Sequence, residues 1–401
     1  MGQRGACGRD YDAIVVGVGG MGGAAAYHLA RRGKRVLGLE RHDIPHTMGS
    51  SHGVSRIIRL AYYEHPSYVP LLRRAYELWR GLEQGAGEQL LHITGSIDAG
   101  AADGRCFAGS LHSCELHDLP HEVLDGRAVN RRFPGYNLPD ALWAVWQPEG
   151  GFLLPERCIV AHVVAAQGHG AEIHARERML AWEPRGDGVR VETDRGVYTA
   201  ARLVVTAGAW AGEVVPALRG LVVPERQVLA WLQPDAPDLF APALFPVFNL
   251  EVEEGRYYGF PVFAVPGFKL GRYHHLEEAT EADTVDRAVR PRDEEVLRHC
   301  AARYFPHGNG PTMALQTCLF ENSPDEHFIL DTHPDYPQVS MAAGFSGHGF
   351  KFCSVIGEIM ADLAERGDTD HDIALFRLAR FAPGRSVPLH AAGSPELART
   401  L

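Results

Sequence analysis

Residues 13–40, AIVVGVGGMGGAAAYHLARRGKRVLGLE, constrain this chain more than any other stretch. Ala13–Val16 is a continuous apolar run bounded by glycine, as a buried parallel strand is. Gly17, Gly19 and Gly22 follow with G-x-G-x-x-G spacing, and an alanine-rich helix is predicted to about Arg32. Gly33 punctuates, and KRVLGLE reads as a second strand ending at Glu40. In such a unit Gly17 makes the tight turn, Gly19 lets a pyrophosphate approach the backbone, and Gly22 lets the helix pack on the sheet. Free N–H groups at the helix start hold the phosphates. Glu40 is placed to accept from ribose hydroxyls and to repel a 2′-phosphate. A dinucleotide site follows; the spacing alone does not separate FAD from NAD.

At 401 residues the chain is too long for one core, so two or more domains are expected. Its 45 % hydrophobic and 22 % charged residues are those of an ordinary soluble globular protein. A net charge of −11 argues against nucleic acid as the main partner. Cys7, Cys106, Cys114, Cys158, Cys300, Cys318 and Cys353 are scattered and odd in number, with no C-x-x-C, so they read as reduced thiols. HSCELH (His112, Cys114, His117) lacks the paired spacing of a zinc site, and no metal is expected. No uncharged run of about 18 apolar residues exists to span a membrane. The start MGQRGACGRDYD has no apolar signal core and no Ser or Thr at position six for myristoylation. The expected location is the cytoplasm.

Residues 68–84 carry apolar side chains at helical spacing and read as a structural helix. Residues 147–175 read as a turn, a helix and a short strand. GVRVETDRGVYTAARLVVTAGAW reads as a hairpin with a buried strand, Leu203–Thr206, that returns to the first sheet. Residues 91–150 and 221–320 are richer in proline and in strand-like stretches. They are expected to form an inserted α+β substrate domain on an antiparallel sheet. The Rossmann-like α/β nucleotide domain would then comprise 11–90, 151–220 and 321–383, with 384–401 a poorly ordered tail.

Five separated motifs share one resemblance. They are GVGGMGGAAAYHLARRGKRVLGLERHDIPHTMGSSHGVSRIIRLAY, RYYGFP, FKLG, QTCLFENSPDEHFILDTHP and AAGFSGHGFKF. In this order, across about residues 11–381, they resemble the monomeric sarcosine oxidase and N-methyltryptophan oxidase family. The resemblance implies a two-domain flavoprotein fold, FAD tied covalently to a cysteine, and oxidation of small secondary amino acids by O2 to an imine and H2O2. It also implies a monomer. The matching cysteine is Cys318, which by itself reads as a small buried hydrophobe.

The same resemblance marks the site. Arg59 would bind the substrate carboxylate through its planar fork, with Arg56 close to the flavin. The two are three apart and share a face if helical. Lys351, placed in the first turn of the last helix, is the second carboxylate partner, an unusual position for a cation. Gly347, His348 and Gly349 would face the flavin where negative charge develops. Lys269 is matched to an oxygen-activating lysine; the alternative is an edge-strand lysine guarding a sheet. Tyr258 is matched to a pocket aromatic. Met21, Arg41, Ser50, Ser51, His52 and Met179 complete the expected FAD contacts.

Departures from the family pattern bear on substrate identity. Phe320 stands where sarcosine-specific members carry tyrosine, and GVSR replaces GDTR. GRYHH is one residue longer than its counterpart, so His274 and His275 both stand for the active-site histidine. N-methyl-L-tryptophan, bulkier N-alkyl or D-amino acids remain alternative substrates. An FAD amine dehydrogenase with another acceptor is an alternative activity.

Overall fold

A computed structural model describes residues 10–382 of the chain. The expected tail, 384–401, lies outside the described residues. In chain order, the elements that build the site are β1 (Tyr11–Val16), α1 (Gly20–Arg31), β2 (Val36–Leu39), β3 (Arg56–Ile58), α2 (Tyr68–Ala86) and α3 (Pro155–Gly168). They continue with β4 (Val197–Val205), β5 (Val223–Leu232), β6 (Gly255–Phe260), β7 (Phe268–Arg272), β8 (Thr312–Asn322), β9 (Val339–Ala343) and α4 (Cys353–Arg366).

The first sheet is nucleated by the parallel trio β4-β1-β2. Val16 pairs with both Leu39 and Val205, so the three strands end at the same level. β9 adds in parallel beside the last residues of β4, and the hairpin Met179–Arg185/Gly188–Thr193 pairs with its first residues. Ile14 and Val15 are wholly buried because both sheet faces are covered, which is why this stretch reads as a continuous apolar run. The helices α1, α3 and α4 pack together on one face. A Cβ on Gly357 would come within 2.5 Å of Ala24, so α4 lies on α1 closely enough that only glycine fits there.

The second sheet runs β8-β5-β7-β6, then Val247–Val252, Ser96–Gly100, Trp143–Gln147 and Glu122–Asp125. It is not wholly antiparallel as expected: Val247–Val252 pairs in parallel with Ser96–Gly100. That pairing joins segments about 150 residues apart, and no local pattern encodes it. An aromatic core of Phe240, Phe245, Phe248, Phe268 and Phe305 underlies this sheet. A third, three-stranded sheet sets β3 and Leu91–Ile93 on either side of Gly151–Leu153.

Two local expectations change. Arg56 and Arg59 lie on and just after a strand, not a helix. In extended chain, side chains three apart point to opposite sides, so the two arginines part company. Lys351 sits in a 3-10 turn, Phe350–Phe352, that leads into α4 rather than in the helix itself. No helix among the described residues is long and apolar enough to cross a membrane.

Candidate functional site

The aligned carboxyl ends of β1, β2 and β4 open into a cavity of about 840 Å³, whose other wall is the second sheet. This is the crevice where open α/β sheets bind ligands. At its outer end the glycine turn behaves as the sequence implies. Gly17 has φ +87°, and a Cβ there would sit 2.5 Å from the Thr206 carbonyl oxygen. A Cβ on Gly22 would meet the Gly17 oxygen at 1.8 Å, whereas one on Gly19 would meet nothing within 4 Å. Gly17 and Gly22 are thus spent on internal packing, and Gly19 keeps open the space a pyrophosphate takes. Glu40 ends β2 buried, accepting from Val18 N at 3.0 Å and His42 N at 2.9 Å. Each oxygen keeps a lone pair for a ribose hydroxyl. Arg41 is held by Asp283 at 2.9 Å over the ring of Trp210. Met21, Arg41, Ser50, Ser51 and Met179 all line the cavity.

Cys318, on β8, lines the inner part. Arg56 Nη2 donates to the Ser50 carbonyl at 2.7 Å and toward Cys318 Sγ at 3.6 Å. β8 is an edge strand, so consecutive residues from Cys318 to Glu321 reach the cavity. Tyr258 and Phe260 on β6 line it as well, two residues apart and hence on one face of the strand. Gly347 (φ +78°) packs on Phe320, where a Cβ would come within 2.4 Å of the ring.

His348 is buried in the wall. Its Nε2 faces the Glu326 carbonyl at 2.9 Å, an acceptor, so Nε2 carries the proton. Nδ1 then accepts from Tyr62 Oη at 2.6 Å. Burial pushes the imidazole down to about 3, which keeps it neutral. Lys351 lines the same end, donating to the His348 carbonyl at 2.7 Å. Burial, then repulsion by Arg59, pulls its ammonium down to about 7.

Arg59, Lys269 and His52 sit off the wall. Arg59 is wholly buried in a bidentate pair with Glu64 (2.7 and 3.0 Å), with Asp98 at 3.6 Å. Its guanidinium stacks 4.5 Å over Tyr62, the ring that also lies 5.3 Å from Lys351 Nζ. The two expected carboxylate partners are therefore brought together, with Arg59 one layer deeper. Burial opposes the charge on Glu64, but Arg59, His348 and Lys351 outweigh it and hold the carboxyl at about 2. Lys269 lies on an inner strand, which removes the edge-guard reading. Its Nζ donates to Gly53 O and Ser55 O at 2.7 Å and to Ser55 Oγ at 3.1 Å, 4.2 Å from the Phe260 ring centre. Burial, and then Arg56, push this ammonium well below its ordinary range, while the three oxygens and the ring face favour the charge. His52 is buried near Arg56 and Lys269; burial and those cations push it down to about 3.

His274 does not line the cavity. It is clamped by Glu225 at 2.9 Å and Glu326 at 2.8 Å, which overcome burial and raise it to about 9. His275 is turned to Asp293 at 3.0 Å. Tyr273 occupies the wall instead, edge-on to Tyr258 at 5.1 Å. Both histidines of GRYHH are thus engaged by carboxylates outside the cavity. The sequence reading also missed Tyr62, Glu64 and Asp98. Tyr62 and Glu64 follow RIIRL directly, but Asp98 comes from the other sheet, and only the fold joins it to Arg59.

The residues fit FAD. The glycine cradle takes a pyrophosphate, Glu40 a ribose, and the inner end offers a thiol, cations and aromatic faces. Ser50 Oγ and Glu321 Oε2 line the cavity with no hydrogen-bond partner in the protein. Residues 12–363 match the family profile of FAD dependent oxidoreductases. The chain is 44 % identical to the monomeric sarcosine oxidase of Streptomyces avermitilis over 93 % of this chain and 98 % of that one. It is 36 % identical to the N-methyl-L-tryptophan oxidase of Yersinia pestis over 93 % of this chain and all of the relative. Among solved structures, NikD, an unusual amino acid oxidase essential for nikkomycin biosynthesis, superimposes with a TM-score of 0.78 at 27 % identity, covering 95 % of this chain and 99 % of that one. With its dinucleotide crevice, thiol and cation-lined inner end in place, the chain belongs to the FAD-dependent oxidoreductase family, alongside the monomeric sarcosine and N-methyl-L-tryptophan oxidases.

Proposed function

We propose that this protein oxidises a small N-methyl amino acid of the sarcosine type, with O2 as the electron acceptor. The overall reaction converts the secondary amine, O2 and water to the primary amino acid, formaldehyde and H2O2. FAD, when bound, supplies the two-electron acceptor for a C–H bond next to nitrogen.

One observation carries the reading. Arg56 and Lys351 line the inner cavity, and neither has a carboxylate within ion-pair distance among the described residues. Cations drawn in from solvent without a carboxylate want an anion, and an amino acid carboxylate supplies one. Arg59 reinforces the field from behind Tyr62, and exchanging its Glu64 contact for the substrate would bring it into the clamp. The aromatic walls of Tyr258, Phe260 and Phe320 exclude water. A desolvated, cation-rich pocket also favours the neutral amine, the form that can surrender its C–H electrons. Cys318 Sγ is the residue assigned to covalent attachment, and the thiolate is the nucleophile such a bond needs. Lys269 is assigned to O2, where a fixed cation stabilises the superoxide formed by the first electron. The full-length match to monomeric sarcosine oxidases supports a single-chain enzyme.

The test is anaerobic bleaching of the holoenzyme with sarcosine, N-methyl-L-tryptophan, L-proline and D-alanine, followed by peroxide yield under air. Fast bleaching by sarcosine with one H2O2 per turnover is expected. No bleaching by any secondary amine, or bleaching without peroxide, would overturn the reading.

A further inference from the structure

Glu321 is the one acidic side chain of β8 that reaches the cavity, three residues beyond Cys318. It is 5 % exposed, and its Oε2 is buried without a hydrogen-bond partner. Leaving a buried carboxyl oxygen without a partner is costly, so this oxygen asks for something the protein does not supply. The surroundings show what has been left out. A 3-10 turn, Gly208–Trp210, faces it, and even a Cβ added to Gly208 would stop 3.8 Å from Oε2. Pro224 pairs with it on β5. The Phe345 N–H donates to the carboxyl and partly offsets its burial, and Cys353 on α4 is the titratable group that senses its charge. His348 and Lys351 line the same cavity but spend their polar atoms on Tyr62, the Glu326 carbonyl and the His348 carbonyl. Among the described residues no arginine or lysine forms an ion pair with Glu321. Gly208 sits beside the phosphate turn, since a Gly17 Cβ would strike Thr206 and Ala207. Glu321 therefore lies between the phosphate cradle and the thiol.

We propose that Glu321 is a cofactor-contacting residue: its carboxyl hydrogen-bonds the FAD that fills this cavity and couples a proton to flavin reduction. The inference rests on FAD binding, not on the choice of amine substrate. Burial raises the carboxyl to about 8, so near neutral pH it is the protonated acid and can donate. A two-electron reduction leaves negative charge on the flavin. That charge raises the affinity of Glu321 for its proton further. Where Glu321 begins ionised, reduction draws one extra proton from solvent onto its carboxylate. One extra proton per two electrons steepens the potential by about 30 mV per pH unit.

The experiment is spectroelectrochemical titration of the wild-type, Glu321→Gln and Glu321→Met holoenzymes from pH 6.5 to 9.5. The wild type is expected to bend to the steeper slope near pH 8. Glu321→Gln keeps a donor but cannot ionise, and its line should lack the bend. Lys351 and His274 also titrate in this range but are common to all three proteins, so the difference between lines isolates Glu321. Superimposable lines for wild type and Glu321→Gln would overturn the proposal. So would an unchanged potential in Glu321→Met, the variant that keeps the packing if the amide does not fold.

Discussion

At the scale of single residues, the site is a group of cations tuned by what each can touch. Lys351 is the most informative. Its ammonium is pulled down to about 7, so its charge is present below that pH and lost above it. A carboxylate ligand needs the charged form. Binding of acetate, followed by perturbation of the flavin spectrum, should be constant below about pH 6 and weaken as pH rises through 7. Lys351→Met should bind acetate about 10- to 100-fold more weakly and without that pH dependence, as expected for one lost charge-assisted hydrogen bond. A pH-dependent affinity that survives in Lys351→Met would place the clamp elsewhere. Lys269 should divide the half-reactions. Lys269→Met is expected to slow reoxidation by O2 about 10²–10³-fold while leaving reduction by substrate nearly intact. Stopped-flow traces that slow equally in both half-reactions would remove its assignment.

At the scale of elements, legibility in the sequence follows how local the determinants are. The unit from β1 to β2 was readable because its strand, turn, helix and strand are encoded within about 30 residues. β3 was not, because its extended form depends on pairing with Gly151–Leu153, about 95 residues later. That pairing separates Arg56, which reaches the cavity, from Arg59, which does not, and a helical spacing rule cannot foresee it. The loop after β7 was hidden for a similar reason: two carboxylates from distant segments decide where His274 points. The loop carries a testable pH response. A histidine raised in the folded state lends stability that is complete below about pH 6.5, its ordinary value. That stability is lost as pH rises through about 9. Hydrogen exchange in residues 273–280 should therefore accelerate between pH 8 and 10 beyond the intrinsic base-catalysed rate. His274→Gln should already show the faster exchange at pH 7. If the variant and the wild type exchange alike at pH 7, the clamp does not hold the loop.

At the scale of the whole molecule, the cavity is walled by two sheets that the chain visits alternately, so its contents tie distant segments together. Removing the cofactor should cost global stability, not only activity. If Cys318 is the attachment point, Cys318→Ser should bind FAD without a covalent bond, and acid precipitation should release its yellow colour while the wild-type colour stays in the pellet. The flavin-free variant should melt lower and recover with added FAD, by about 2.7 kcal/mol at a hundredfold excess over Kd. A melting temperature blind to FAD would show that the sheets need no cofactor to hold them. β8 has one further consequence, for how such a chain can diverge. Its side chains alternate, so a single inserted residue between Cys318 and Glu321 would turn one of the two away from the face it now occupies. A length change is harmless only where pairing has ended. GRYHH offers such a place, at the left-handed turn of His274 (φ +53°) just past the end of β7. Relatives of this protein should therefore vary in length at that turn and keep β8 free of insertions.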